Sequence, residues 1–277
     1  MNNPIHFTDE NYRRQQPGND DLLIHISAHS ISYAIVNENQ IKVLFEADFS
    51  EHEKTPLAKR FEQFWQSQPQ LQTEFKSTKV SVVTGKFTFI PTQLYTESEL
   101  DGYAKFVQPN RATDVLVNNI SPAELKNIVV IDTLLQQELQ KRFKNLSIFS
   151  QVEPFIEGIY QTNNKSSNHL FLNFYTGGFE AAFLQNGHLR FYNTFQVENA
   201  DEFNYFLLNL IQQFGPDTKE TKITLTGMIG QNDEIYKRIQ KYFADISFGK
   251  SNQPINNLPT NISAHTYFSL LSLHLCE

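Results

Sequence analysis

Alternating apolar residues predict three consecutive strands in the second half of the chain. Leu170, Leu172 and Phe174 would lie on one face of a strand and Phe171 on the other, which is typical of a strand buried on both faces. Gly177-Gly178 predicts a tight turn, because glycine adopts positive φ at little cost. Asn186-Gly187 predicts a type I′ hairpin leading into the third strand. Residues 170–197 are therefore predicted to form an antiparallel meander.

The same rhythm occurs near the start of the chain. Adding 148 to each number aligns residues 22–43 with the later meander without a gap, so that Leu22 meets Leu170 and Ile26 meets Phe174. Both turn positions coincide as well. Any two meanders share apolar alternation, so chance similarity is the alternative to a common origin of the two segments. Agreement in turn positions and strand lengths together favours an internal duplication.

Similar elements follow each meander. Thr55-Pro56 predicts a helix start, and a strand is predicted at residues 79–83. In the second half, Asn199 and Glu202 resemble a capping box before an apolar helical stripe, and a strand follows at residues 223–226. Both halves thus have the order strand, strand, strand, helix, strand, followed by a further helix and strand. This is the order of elements in the ribonuclease-H-like unit.

The remaining segments connect and close the two halves. Residues 128–131 and 146–149 are predicted strands, with a helix from Asp132 between them and another at 153–160. The polar tract 161–168 predicts a lobe boundary. Residues 91–126 read as an insertion whose role the sequence does not reveal. Residues 262–275 predict a last helix against the second lobe.

Four segments carry a resemblance to known proteins: LLIHISAHSISYAIV, NIVVIDTLLQQELQKRFKNLSIFSQVEPFIEGIY, LFLNFYTGGFEAAFLQNGHLRFY and ITLTGMIGQNDEIYKRI. In this order they resemble the actin/hexokinase/Hsp70 superfamily of actin-like ATPases, including the pilus-assembly and cell-division actin-like proteins. They resemble more closely a domain-of-unknown-function family from Bacteroidetes. The resemblance implies an α/β protein with a duplicated ribonuclease-H-like fold, in two lobes that each hold a mixed five-stranded sheet flanked by helices.

That fold implies a division of the chain. We expect a polar N-terminal tail at residues 1–20 and lobe I at residues 21–162, interrupted by the insertion at about 91–126. Lobe II is expected to take residues 163–277. A nucleotide, where one is bound, is expected between the lobes.

The resemblance also locates the positions where nucleotide chemistry would occur. In the superfamily each phosphate loop has an aspartate that ends the first strand and a glycine two residues later, which serve metal-bound nucleotide and phosphate. Here lobe I has His25 and Ser27 at these positions, and lobe II has Asn173 and Tyr175. Neither His25 nor Asn173 supplies the negative charge that Mg²⁺ prefers.

Four more residues complete the predicted cleft. Gly177 and Gly178 could form a backbone anion nest, although a plain hairpin turn is the favoured reading. Gly227 and Met228 resemble the strand end that contacts adenosine, with Met228 in place of a second glycine. The predicted degenerate inter-lobe positions are His25, Ser27, Asn173, Tyr175, Gly177, Gly178, Gly227 and Met228.

Other candidate chemistry is weaker. His25 lies on a predicted strand and His29 in the turn after it. This arrangement does not bring the two side chains together as one face of a helix would, so no metal site is expected. Cys276 near His274 lacks an orienting scaffold. Asp48 and Asp132 are too few for a two-metal nuclease centre, and Asp132 is better explained as a helix cap.

Composition narrows the functional class. The formal net charge of −7 argues against nucleic-acid binding, which needs a basic face. One cysteine excludes an internal disulfide framework and fits a reducing compartment. No signal peptide or membrane-spanning run is visible, so we expect a cytoplasmic protein without a transmembrane segment.

The sequence leaves two functions open. The first is a non-catalytic actin-like-fold protein that acts as a protein-interaction or scaffold module for an unknown partner protein or a second copy, without a cofactor. The alternative is a nucleotide-binding ATPase or sugar-kinase-like phosphotransferase with an atypical inter-lobe site, which would use ATP with Mg²⁺. Loss of both phosphate-loop aspartates favours the first.

Overall fold

A computed structural model describes residues 5–10, 12, 18–49, 55–108, 115–162, 168–214, 220–250, 258 and 262–277. These residues form two compact units. The first unit holds the described residues of Met1–Glu157, Gln253–Pro259 and Ser269–Glu277, and the second unit holds those of Gly158–Asn252 and Thr260–Phe268. Part of the polar tract that predicts the lobe boundary, residues 163–167, lies outside the described residues.

The described strands and helices alternate along the chain. The strands are β1 (Ile5–Thr8), β2 (Asp21–Ile26), β3 (Ser30–Asn37), β4 (Gln40–Asp48), β5 (Ser77–Val82), β6 (Phe87–Pro91), β7 (Val115–Ile120), β8 (Leu125–Val130), β9 (Leu146–Ser150), β10 (His169–Tyr175), β11 (Gly178–Gln185), β12 (His188–Gln196), β13 (Lys222–Gly227) and β14 (Ile246–Phe248). The helices are α1 (Leu57–Ser67), α2 (Leu100–Val107), α3 (Thr133–Arg142), α4 (Val152–Thr162), α5 (Ala200–Phe214), α6 (Glu234–Ile239) and α7 (Phe268–Ser272).

Each unit has a mixed sheet with the same strand order. In the first unit the order is β1-β4-β3-β2-β5-β9, and in the second it is β12-β11-β10-β13-β14. The meander strands pair antiparallel, whereas β2, β5 and β9 pair parallel, as do β10, β13 and β14. The second sheet has the predicted five strands, and the first has those five plus β1.

The two meanders agree in where each of their three strands begins. Strands β2, β3 and β4 begin 148 residues before β10, β11 and β12, respectively. The register of each outer pair shifts at the same position, between Ile35 and Val36 in one meander and between Phe183 and Leu184 in the other. A register shift at a matching place is a specific feature that apolar alternation does not require, so it supports duplication over chance similarity.

The hairpin turns explain why these strands connect directly. Glu38 and Asn39 have φ values of 47° and 61°, and Asn186 and Gly187 have 51° and 78°. Positive φ at both central positions is the requirement of a type I′ turn, whose twist matches that of the flanking strands. The hairpin predicted at Asn186-Gly187 is therefore present, and the first meander uses the same turn.

A hydrophobic core lies between each sheet and its helices. In the first unit, Phe61 and Phe64 of α1 and Leu135 of α3 pack against the apolar side chains of β2 and β3. In the second unit, Phe203 and Leu207 of α5 pack against β10 and β11. Burial of such side chains from water contributes about 1.5–3 kcal/mol each, which is why the apolar stripe of each helix faces its sheet.

Three regions differ from the expectations. The N-terminal segment contains β1, which pairs antiparallel with β4, so it is not only a polar tail. The described part of the insertion contains α2 and β7, and β7 belongs to a separate antiparallel sheet of order β6-β8-β7 whose other two strands lie mostly outside the predicted insertion. Residues 109–114 of the insertion lie outside the described residues.

The C-terminal segment is the third difference. It consists of α7 flanked by 3₁₀ helices at Ala264–Tyr267 and Leu273–Leu275. The Ala264–Tyr267 helix contacts β13, but Ser269–Glu277 belongs to the first unit. There, Lys79 Nζ of β5 donates to the carbonyl oxygen of His274 at 3.0 Å. Most of the loop at residues 250–261 lies outside the described residues.

Within the described part of the chain, no helix is both long enough and apolar enough to cross a membrane.

Candidate functional site

The end of β2 holds a histidine where the superfamily has its first aspartate. His25 Nδ1 lies 2.7 Å from the hydroxyl oxygen of Ser81, which is its register partner on β5. Burial lowers the pKa of His25 to about 4, so the ring is neutral near pH 7. A neutral imidazole held by a serine hydroxyl does not replace a carboxylate as a magnesium ligand.

In the turn after β2, the Ser27 side chain accepts hydrogen bonds from nearby backbone amides. Ser27 Oγ accepts the amide of Ser30 at 2.8 Å and the amide of His29 at 3.1 Å. Arg60 of α1 donates to the carbonyl oxygen of Ala28 in the same turn. The Ser27 hydroxyl therefore already accepts two of the amides in this turn.

The equivalent strand end in the second unit carries a closed polar network. Asn173 Nδ2 donates to Glu180 Oε1 at 2.6 Å, and Thr226 Oγ1 donates to Asn173 Oδ1 at 2.8 Å. The hydroxyl of Tyr192 donates to Glu180 Oε2. Asn173, Glu180 and Thr226 are buried, with Glu180 only 1% exposed. Both polar atoms of the Asn173 amide have protein partners within the sheet.

Gly178 is required by packing. A Cβ atom at Gly178 would lie 2.4 Å from the carbonyl oxygen of Phe195 and 2.9 Å from the Tyr175 ring. Gly177 has φ of 85°, which favours glycine. Burial raises the pKa of the Tyr175 phenol, which stays protonated. The Tyr175 ring covers Gly178, so these contacts support the hairpin-turn reading over an anion nest.

The turn after β13 is locked in one conformation. Gly227 has φ of 79°, and a Cβ atom there would lie 2.0 Å from the carbonyl oxygen of Phe174. The amide of Met228 donates to that same carbonyl oxygen at 2.8 Å. Met228 is 55% exposed, and Thr176 Oγ1 lies 3.5 Å from its sulfur. The turn therefore fixes an apolar side chain at the surface.

Four of the eight predicted residues line one cavity of about 380 Å³ in the second unit. We call it the Met228 cavity, and its lining residues are Phe174, Tyr175, Gly177, Gly178, Val197, Glu198, Asn199, Ala200, Met228, Asp233, Glu234 and Ile235. Asn173 and Gly227 lie on the adjacent strand ends but do not line it. His25 and Ser27 belong to the first unit. The inter-lobe cleft itself stays a prediction.

The charge of the Met228 cavity is unsuited to phosphate. Glu198, Asp233 and Glu234 line it, and among the residues that the structure describes no lysine or arginine does so. Among the described residues, no group of three or more histidine, cysteine, aspartate or glutamate side chains is arranged to hold a metal ion. Because like charges repel and these carboxylates do not form a cation site, the lining does not fit ATP with Mg²⁺.

Two buried carboxylates are absent from the sequence prediction. Glu180 lies in the network around Asn173. Glu153 of α4 is fully buried and accepts from Asn118 Nδ2 at 2.8 Å and Asn127 Nδ2 at 3.0 Å. Burial raises the pKa of Glu153. The sequence signal that could have identified Glu180 is an acidic residue within an apolar run, GFEAAF. A buried acidic residue needs hydrogen-bond partners inside the protein.

The other weak candidates take structural positions. Asp132 Oδ1 accepts the amide of Leu135 at 2.8 Å, which confirms the helix-cap interpretation. Cys276 is buried, and burial raises the pKa of its thiol well above the ordinary range. A protonated, buried thiol is a poor nucleophile.

The fold and the strand ends together define the class of protein. The structure resembles a Bacteroides thetaiotaomicron protein with an actin-like ATPase fold and unknown function, at a TM-score of 0.78 and 18% identity over 94% of this chain and 97% of that one. It also resembles a chain of a PilM–PilN type IV pilus biogenesis complex, at a TM-score of 0.61 and 10% identity over 94% of this chain and 98% of that one. The chain therefore has the actin-like ATPase fold.

The sequence then assigns the family. Residues 9–246 match the family model described as Protein of unknown function (DUF3822), and the chain belongs to this family. No curated protein matches the sequence.

Proposed function

We propose that this chain is a non-catalytic member of the actin-like fold that acts as a protein-interaction or scaffold module. The observation that carries the proposal is that the groups at both phosphate-loop positions are used within the protein. Ser27 Oγ accepts two turn amides in the first unit, and the Tyr175 ring covers Gly178 in the second.

The replaced acids support the same conclusion. His25 is bonded to Ser81, and Asn173 is bonded to Glu180 and Thr226. Opening either site to a ligand would leave buried polar groups without partners, at a cost of about 1–3 kcal/mol for each. Nucleotide binding would therefore have to break structure that the present residues stabilise.

The comparison with the PilM–PilN structure also supports a partner protein, because that chain of the same fold is part of a protein complex. For this chain the partner is another protein or a second copy. The net charge of −7 disfavours nucleic acid as the partner.

The test is calorimetric titration of the full chain with ATP and Mg²⁺, combined with a phosphate-release assay. We expect no saturable heat at micromolar nucleotide and no release above the buffer rate. Tyr175→Ala, which removes the ring over Gly178, serves as a comparison for whether that ring alone blocks binding. Micromolar affinity with turnover in the unaltered chain would overturn the proposal in favour of an ATPase or phosphotransferase.

A further inference from the structure

We infer that the Met228 cavity docks a short segment of a partner protein that presents a lysine or arginine beside an apolar side chain. This inference rests on the proposed function and adds the surface and the chemistry of the partner. It uses three features of the cavity: its apolar lining, its fixed shape and its charge.

Apolar groups make up much of the lining. Phe174, Tyr175, Val197, Met228 and Ile235 all contribute to the cavity wall. Met228 is 55% exposed, although most large apolar side chains of the second unit's core are buried. A flexible, polarizable thioether adapts to differently shaped apolar partners. The cavity therefore has a surface that gains free energy when a partner's apolar side chain covers it.

The backbone prevents Met228 from withdrawing into the core. Gly227 has a positive φ, a Cβ atom there would collide with the Phe174 backbone, and the Met228 amide donates to the Phe174 carbonyl oxygen. The exposed side chain is thus displayed by a rigid turn. A preformed surface loses less conformational entropy on binding than a flexible one.

The charge of the cavity selects the occupant. The charged lining residues are Glu198, Asp233 and Glu234, so the potential there favours a cation. Glu234 has an exposed pairing with Lys237 at 3.7 Å, which water and salt screen. Lysine and arginine carry their charge on an apolar stem, so one such side chain can contact both Met228 and a carboxylate.

The experiment uses the small number of methionines. The chain has two, Met1 and Met228, so ¹³C-methyl-methionine labelling produces a spectrum in which Met228→Leu identifies the Met228 signal. The probe is N-acetyl-leucyl-arginine amide, and N-acetyl-leucyl-glutamate amide is its matched control. We expect a saturable shift of the Met228 signal with the arginine probe only, and weaker binding as salt is raised.

Two double variants test the charge. Glu198→Gln with Glu234→Gln should weaken binding of the arginine probe about fivefold, from two partly screened charge pairs. Glu99→Gln with Asp101→Asn removes the same charge from exposed positions in the first unit and should leave the affinity unchanged. Circular dichroism of each variant checks that it remains folded.

The outcomes separate this inference from the proposed function. No shift with the arginine probe, or equal shifts with both probes, would overturn the cavity as a cation-selective docking site while leaving a scaffold role intact. A shift of Met228 by ATP and Mg²⁺ accompanied by turnover would overturn the proposed function, and the docking inference would fall with it.

Discussion

The two meanders have the same backbone but different polar interiors. Their strands, type I′ turns and register shifts coincide at a constant offset, yet the first contains the pair His25–Ser81 and the second a network of four polar side chains centred on Glu180. The same backbone geometry thus accommodates different polar contacts at the strand ends. The comparison teaches that the meander is specified by its turns and apolar alternation, whereas the polar side chains at each strand end are not.

The outer edges of the two meanders differ as well. In the first unit β1 pairs with β4. In the second unit β12 is the edge strand, where the amide of Leu189 donates to the Tyr160 hydroxyl at 3.0 Å and the amide of Thr194 donates to Asn193 Oδ1 at 2.9 Å. Two amides of β12 are therefore satisfied by side chains, whereas in the first unit a further strand pairs with β4.

The largest effect on stability is expected at Gly227, in the turn after β13 of the second unit. Gly227→Ala should lower the free energy of unfolding by about 4 kcal/mol, because it combines positive φ with a backbone collision. Gly85→Ala is the control, since a Cβ there meets nothing within 4 Å. Urea unfolding of both variants measures the difference. Equal stabilities would show that the turn at Gly227 is not locked.

The next effect concerns the buried network. Glu180→Ala should cost about 3 kcal/mol, because it removes the buried carboxylate to which Asn173 Nδ2 and the Tyr192 hydroxyl donate. Ser32→Ala changes the matching position of the first meander and should cost less than about 1 kcal/mol. If the two substitutions had similar effects in urea unfolding, the polar interiors would not differ in the way described.

A pH-dependent effect is expected from His25, which aligns with Asn173 of the second meander. The pKa of His25 is lowered from 6.5 to about 4, so its contribution is present above pH 6.5 and is lost as the pH falls towards 4, where the unfolded state binds the proton first. His25→Asn, which copies Asn173, should remove about 2 kcal/mol of pH dependence over this range.

The measurement is the free energy of unfolding as a function of pH for both chains. His188→Asn, at an exposed histidine of the second meander, is the control and should follow the unaltered chain. A His25→Asn curve parallel to that of the unaltered chain between pH 6.5 and 4 would contradict the prediction.

The smallest effect concerns the helices that follow β8 and β13. Asp132 caps α3 through the Leu135 amide, whereas Asp233 makes no side-chain cap bond to α6 and instead accepts the Gly230 amide at 2.7 Å. Asp132→Ala should cost about 1 kcal/mol. Asp233→Ala should cost less in the same thermal-unfolding assay, and a reversed order would refute the difference in capping.

The sequence predicted the repeated part of the fold because that part depends on local signals. Glycine and asparagine at the turns and apolar alternation in the strands act over a few residues, and they placed both meanders and the Asp132 cap. The candidate residues at the strand ends were identified from the 148-residue alignment and the resemblance to actin-like ATPases. Their partners were not, since Ser81 and Thr226 come from strands more than fifty residues away from His25 and Asn173.

By itself, the sequence determined the paired meanders and the loss of both phosphate-loop aspartates, because residue identity and periodicity are properties of neighbouring positions. Tertiary structure alone decided that β1 joins the first sheet, that residues 87–130 supply a three-stranded sheet, and that Ser269–Glu277 belongs to the first unit. It also decided that Ser27 accepts the amides of its own turn, that Glu180 bonds to Asn173 and that the Tyr175 ring covers Gly178. Such outcomes depend on which elements pack together although they are far apart in sequence. The hydrophobic pattern within one segment does not specify that packing.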